Sequence, residues 1–262
     1  MSSVGRRAIA GVVVATAVAS GAVIARADDS PASAAKAVTG GLGVNPMVIE
    51  KPAAAGAVGT LTVSNNSSKK LAVNVTARPW MQSSSGAVSI NRAKTLSGIR
   101  VSEPSFALAA GQKKAVSVTA LSGAATYGGI EITGLPDGAS KQTGAVLGYR
   151  LVTSLRLNPA SPVLSLKAGT PKVSGKGSKR AIVMPLRNAG NTIQPVTGSV
   201  RLKSALGTRQ RALASIRILP GKSVDVLLSA VGSVKAGSYT ATVQLKQGGK
   251  TTTVTKKLTI KR

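Results

Sequence analysis

Histidine and cysteine are absent from this 262-residue chain. That removes the commonest general base, the thiol nucleophile and most transition-metal ligand sets. What remains for chemistry is seven carboxylates, many hydroxyls and an excess of amines and guanidiniums. No two carboxylates stand at a spacing that predicts an acid–base pair. Glu103, Glu131 and Asp137 are the three that a fold could gather around a cation, but carboxylates near turns are more simply solvated. Two S-x-x-K sequences, Ser67 to Lys70 and Ser33 to Lys36, carry the spacing of an acylating serine and its lysine. That chemistry needs a helix, and these fall in a turn and in a run of small residues. Trp80, directly after Pro79, has the surface to stack on a sugar ring; a lone Trp at a strand end more simply closes a core. No catalytic residue, cofactor or metal site is predicted, and the chain reads as a non-enzyme.

Charge is the feature with reach. Lys and Arg number 35 against 7 Asp and Glu, a net +28. Residues 28–162 hold 13 cations and 6 acids, whereas residues 163–262 hold 19 cations and a single acid, Asp225. Such a field draws polyanions at long range and weakens with salt. Alternation in the second half sets Val200, Leu202, Ile216, Ile218, Leu245, Leu258 and Ile260 inward. It then sets Arg201, Lys203, Arg209, Arg211, Arg217, Lys246, Lys257 and Lys261 outward, and these eight are the predicted polyanion-binding residues. One Trp, three Tyr and one Phe leave little for base stacking, which argues against specific nucleic-acid binding.

The elements that must position these residues are strands. Arg6 and Arg7 precede an apolar run over 8–25, and Ala25-Arg26-Ala27 supplies a small-x-small site. This predicts a signal peptide over 1–27, cut before Asp28, with no transmembrane anchor left after cleavage. Residues 28–45 read as a flexible leader, 46–157 as a first β-sandwich, NPASP at 158–162 as a linker and 163–262 as a second, basic sandwich. Short alternating runs separated by turn signals, with no sustained helical period, predict an all-β chain of two tandem immunoglobulin-like antiparallel β-sandwiches. The stretch 98–119 reads as strand, Pro-containing crossing, Gly turn and strand, and 216–228 repeats it in short form. From Asn65 to Gly111 is 46 residues and from Asn188 to Gly221 is 33. The difference of 13 matches a loop over 81–94, as one fold used twice requires. The longest strand, 145–157, sets Leu147, Tyr149, Leu151, Leu155 and Leu157 on one face and Arg150, Ser154 and Arg156 on the other.

VGTLTVSNNSS (58–68), the strand–Gly–strand unit at 101–118, YGGIEITG (127–134) and GYRLVTSLRL (148–157) together resemble the first domain of secreted bacterial immunoglobulin-like proteins of the WxL-interacting, peptidoglycan-binding-domain type. More loosely they resemble the first domain of pilus chaperones. NAGN (188–191) and ILPGKSVDV resemble the plain immunoglobulin-like domain that often follows. The paired cationic anchor with which pilus chaperones hold a subunit's C-terminal carboxylate has no matching residues here. The membrane helix and basic tail usual in the WxL-interacting group are not matched either. The resemblance and the charge together predict a secreted, non-catalytic cell-envelope binding protein. Its basic second domain would associate with anionic wall polymers or peptidoglycan, and its first with an envelope protein. The alternative is a periplasmic-type assembly chaperone that lends an edge strand to surface subunits.

Overall fold

The computed structural model describes residues 40–261 apart from 231, 233 and 234, together with a two-residue strand at Val14–Ala15. The predicted signal peptide, those two residues excepted, lies outside the described residues, as do leader positions 28–39 with Ser33 and Lys36. Strands in chain order are β1 (Val14–Ala15), β2 (Leu42–Asn45), β3 (Val48–Pro52), β4 (Gly56–Asn65), β5 (Leu71–Gln82), β6 (Val88–Ile90), β7 (Ile99–Val101), β8 (Ser105–Leu108), β9 (Lys113–Ala120), β10 (Thr126–Pro136) and β11 (Gly148–Asn158). The series continues with β12 (Leu166–Ala168), β13 (Lys172–Ser174), β14 (Ala181–Asn188), β15 (Val196–Ser204), β16 (Gly207–Ile216), β17 (Ser223–Leu227), β18 (Gly237–Gln247) and β19 (Lys250–Ile260).

The first eleven strands form two packed sheets. One runs β11-β10-β5, with β1 and β3 on the outer edge of β11 and β6 and β8 on that of β5; the other runs β2-β4-β9-β7. Alternation explains the packing, because successive side chains on a strand point to opposite faces. Leu61, Val63, Val116 and Val118 of one sheet meet Leu71, Val73, Ile130, Ile132, Leu155 and Leu157 of the other, all fully buried. The crossing at Pro104 has a physical meaning. β7 pairs with β9 in one sheet, while β8 pairs with β5 in the other, so the chain changes sheets at Glu103-Pro104.

The remaining strands build a second sandwich, β12 and β13 with β14 and β17 against β16-β15-β18-β19. Its own core holds Ile182, Met184, Leu186, Val200, Ile218, Val224, Val243 and Leu245.

The repeat expected from spacing is present bond for bond. Asn65 and Asn188 are both fully buried. The Asn65 side-chain amide donates to the carbonyls of Leu108 and Lys69, at 2.9 and 2.8 Å. That of Asn188 donates to Ile218 and Thr192, both at 2.7 Å. Each side-chain oxygen accepts the N–H two residues on, from Ser67 and Gly190. Each backbone carbonyl accepts from the turn glycine, Gly111 or Gly221, at 2.8 Å. Both glycines sit at a φ near +75°, the left-handed region open to residues without a Cβ.

Four local expectations change. Leu42–Asn45, read as leader, is a strand paired with β4. The stretch 81–94 is a hairpin arm, since β5 runs on to Gln82 and β6 returns along it. β11 begins at Gly148, leaving Leu147 52% exposed instead of inward. β16 starts at Gly207, four residues ahead of the expected 211.

Candidate functional site

Beside the first core, β11 has an unpaired stretch of edge among the described residues. Its outer edge carries β1 at Gly148 and Tyr149 and β3 from Ser154 to Asn158, both parallel. Arg150 to Thr153 lie between, with no paired strand on that side among the described residues. The Ser154 N–H donates outward to the Met47 carbonyl at 2.8 Å, so by two-residue alternation Val152 and Arg150 also turn their backbone N–H groups to the open edge. Side chains suited to an added strand lie alongside. Val44, Tyr149 and Leu151 are half-buried and pack on the core. Exposed apolar residues bracket the gap, Leu135 and Leu147 at one end and Met47 and Val48 at the other.

Behind this edge the outer face of β5-β10-β11 holds a buried charge. Glu131 alternates with the core residues Ile130 and Ile132 and so points the other way. It is nonetheless 4% exposed, because the arm folds over it. Arg78 Nε donates to Glu131 Oε2, and Arg92 and Arg150 stand 3.1 Å from Oε1. Arg78 also donates to the Arg92 carbonyl at 2.6 Å, tying the arm to the sheet. A shared cation site is therefore not formed: Glu103 pairs with Lys114 at 3.0 Å and Asp137 with Lys70 at 3.1 Å. Ser67 gives its hydroxyl to Asn65 while Lys70 faces Asp137, so that S-x-x-K pair serves the turn.

The arm also reaches the second sandwich. Gln82 donates to the Arg217 carbonyl at 2.8 Å and accepts from the Leu219 N–H at 2.9 Å, and the Asp225 N–H donates to the Ser84 carbonyl at 2.7 Å. Trp80 neither closes a core nor lies open for a sugar. It is half-buried at this junction, beside a cavity of about 340 Å³ shared with Tyr127, Asn191, Leu219 and Pro220, with Arg156 5.8 Å from its ring. Tyr127 donates to the Asn191 carbonyl at 3.2 Å, and burial pushes its phenol above the ordinary range. Arg156 also donates to Glu50 at 2.9 Å and, with burial opposing it, holds that carboxyl below its usual value.

The eight cations expected to share one outward surface do not. Arg201, Lys203, Lys246 and Lys257 occupy the outer face of β15, β18 and β19, where Lys203, Thr240 and Lys257 form one cross-strand row. Lys261 is exposed just past β19. Arg217 lies past the end of β16 and donates to the Ile193 carbonyl at 3.1 Å. Arg209 and Arg211 are on the opposite face from the expected one, since they pair directly with the buried Leu202 and Val200. The reason is a bulge. Val196 pairs with Ile216 and Gly198 with Leu213, so three residues of β16 span two of β15 and the parity counted back from Ile216 reverses. Counting from Leu213 would have found it. Among the described residues Asp225, the lone acid of this half, pairs with Lys172 at 3.0 Å.

No family model matches the chain, and no curated protein matches it. Solved structures do resemble it. A chain of the chaperone–tip adhesin complex of CFA/I fimbriae biogenesis superposes over 82% of this chain and 98% of its own, at 14% identity and a TM-score of 0.54. The class 5 fimbriae chaperone CfaA covers 82% of this chain and 99% of its own, at 14% identity and a TM-score of 0.50. The likeness is one of fold. It falls on the pilus-chaperone side of the sequence resemblance and gives the WxL-interacting side no support. No helix among the described residues is long and apolar enough to cross a membrane.

Proposed function

We propose that this chain is an extracytoplasmic, non-catalytic assembly chaperone that receives a strand of an envelope protein on the free edge of β11. The carrying observation is the gap at Arg150–Thr153, with outward N–H groups at Arg150 and Val152 and exposed apolar side chains at both ends. Edge addition gives affinity through main-chain bonds and specificity through alternate side chains. The fold shared with fimbrial chaperones supports this reading over wall anchoring. The test is Val152→Pro, which removes one outward N–H and leaves the pairing to β10 untouched. An envelope protein that co-purifies with the wild type should be lost from the variant, with melting within about 1 kcal/mol of wild type. Retention by the variant overturns the edge.

A second reading rests on a separate observation, the outer sheet face of β15, β18 and β19, where Arg201, Lys203, Lys246 and Lys257 stand among threonines with no acid. We propose that this face holds the protein near an anionic wall polymer or peptidoglycan. Its Gln replacements at Arg201 and Lys203 should release the protein from isolated walls at lower salt, since exposed charges are screened beyond about 8 Å at physiological ionic strength. Unchanged release leaves the face as solubilising surface.

A further inference from the structure

The inward turn of Arg209 and Arg211 leaves the second sandwich with an unusual opening. A cavity of about 400 Å³ enters between its two sheets beside β16, within the range of small-molecule sites. Its floor is apolar, made by Ile182, Leu202, Leu228 and the ring of Tyr239, all buried. Leu206, 70% exposed, stands at the mouth. Around the opening are three cations, Arg209, Arg211 and Lys235, and no carboxylate lines it. Arg211 Nη1 donates to the Ser229 carbonyl at 2.9 Å, which fixes that guanidinium at the rim. The Tyr239 hydroxyl donates to the Lys235 carbonyl at 2.9 Å, so the ring presents only its apolar faces to the cavity.

Two features narrow the occupant. Arg209, exposed, and Arg211, half-buried, hold two guanidiniums at the rim of an apolar cavity that no acid lines, where an anion would meet charge-assisted hydrogen bonds. A neutral lipid supplies no such anion. An extended polyanion supplies the charge but leaves the aliphatic floor wet. A molecule with one compact negative head and one aliphatic tail answers both ends.

We propose that this cavity binds a single-chain amphipathic carboxylate, with its tail on Ile182, Leu202, Leu228 and Tyr239 and its head between Arg209 and Arg211. Dodecanoate, titrated calorimetrically below its micelle concentration into the full-length protein, should bind saturably with one site per chain. Dodecanol should bind at least tenfold more weakly and acetate not at all. Arg209→Gln with Arg211→Gln should lower dodecanoate affinity at least tenfold, whereas Arg201→Gln with Lys203→Gln, on the opposite face, should leave it within twofold. Because the inward pair also touches the sandwich, the wild type carries an independent readout. Dodecanoate should shift the methyl resonances of Leu202, Leu206 and Leu228 and spare Leu61 of the other core. Absence of saturable binding, equal binding of dodecanol, equal loss in both double variants, or shifts that miss those three leucines each overturn the site. Displacement of dodecanoate by polyphosphate at equivalent charge assigns the cations to a polymer and overturns it too.

Discussion

Around their asparagines the two sandwiches match bond for bond; around their charges they differ. Asn65 and Asn188 each hold the same turn through two donated bonds and an accepted one. The first sandwich also buries Glu131 among Arg78, Arg92 and Arg150. The second buries no acid among its described residues and leaves most of its cations to solvent. The contrast separates what the fold needs from what it tolerates. A neutral amide that satisfies backbone groups needs no counter-ion, so it persists when composition turns basic. A buried carboxylate is kept only where a covering arm supplies partners, and the first sandwich alone has that arm.

The largest expected effect tests the buried charge. Glu131→Gln strands three guanidiniums around a neutral group and should cost about 3–5 kcal/mol, the range for breaking a buried ion pair. Asp225→Asn, at the second sandwich's partly exposed pair, should cost about 1 kcal/mol. Urea unfolding of both variants decides it, and equal losses erase the distinction. Next come the asparagines. Asn65→Ala and Asn188→Ala each leave buried carbonyls unpaired and should each cost about 2–3 kcal/mol. A loss confined to one shows that the corner is structural in that sandwich alone.

Smaller effects concern the junction. Gln82→Ala removes two bonds between the sandwiches and should cost about 1 kcal/mol. Residues 40–160 and 161–262, expressed apart, are proposed to unfold cooperatively on their own; failure of either piece to melt cooperatively while the whole chain does moves the boundary. The smallest effect is one of pH. The Glu50 carboxyl is held below its ordinary 4.5 chiefly by the hydrogen bond from Arg156. Its contribution is therefore present above about pH 4.5 and fades as acid carries the pH down through the lowered folded value. Glu50→Gln should lower stability slightly at neutral pH, flatten the acid limb and converge with the wild type below the lowered folded value. An identical acid limb in the variant assigns the slope to other carboxylates.

Composition and alternation alone determine the class of this protein. Period-two runs with turn signals between them dictate strands, since side chains on one face must share a core. The turn grammar around Asn65–Gly111 and Asn188–Gly221 dictates the repeat, because it is written in consecutive residues. Loss of His and Cys restricts the chemistry before any fold is known. Other features arise from partners distant in sequence. Glu131 reads as an outward strand residue until Arg78, Arg92 and the arm cover it. The free edge of β11 exists because β3 pairs it no further than Ser154. Arg209 and Arg211 read as outer-face residues until the bulge opposite Val196 and Gly198 sets them on the other face, at the rim of the cavity. Parity is local and survives only while the pairing register holds. One extra residue in a neighbouring ladder reverses it, and that residue is fixed by the strand across the sheet.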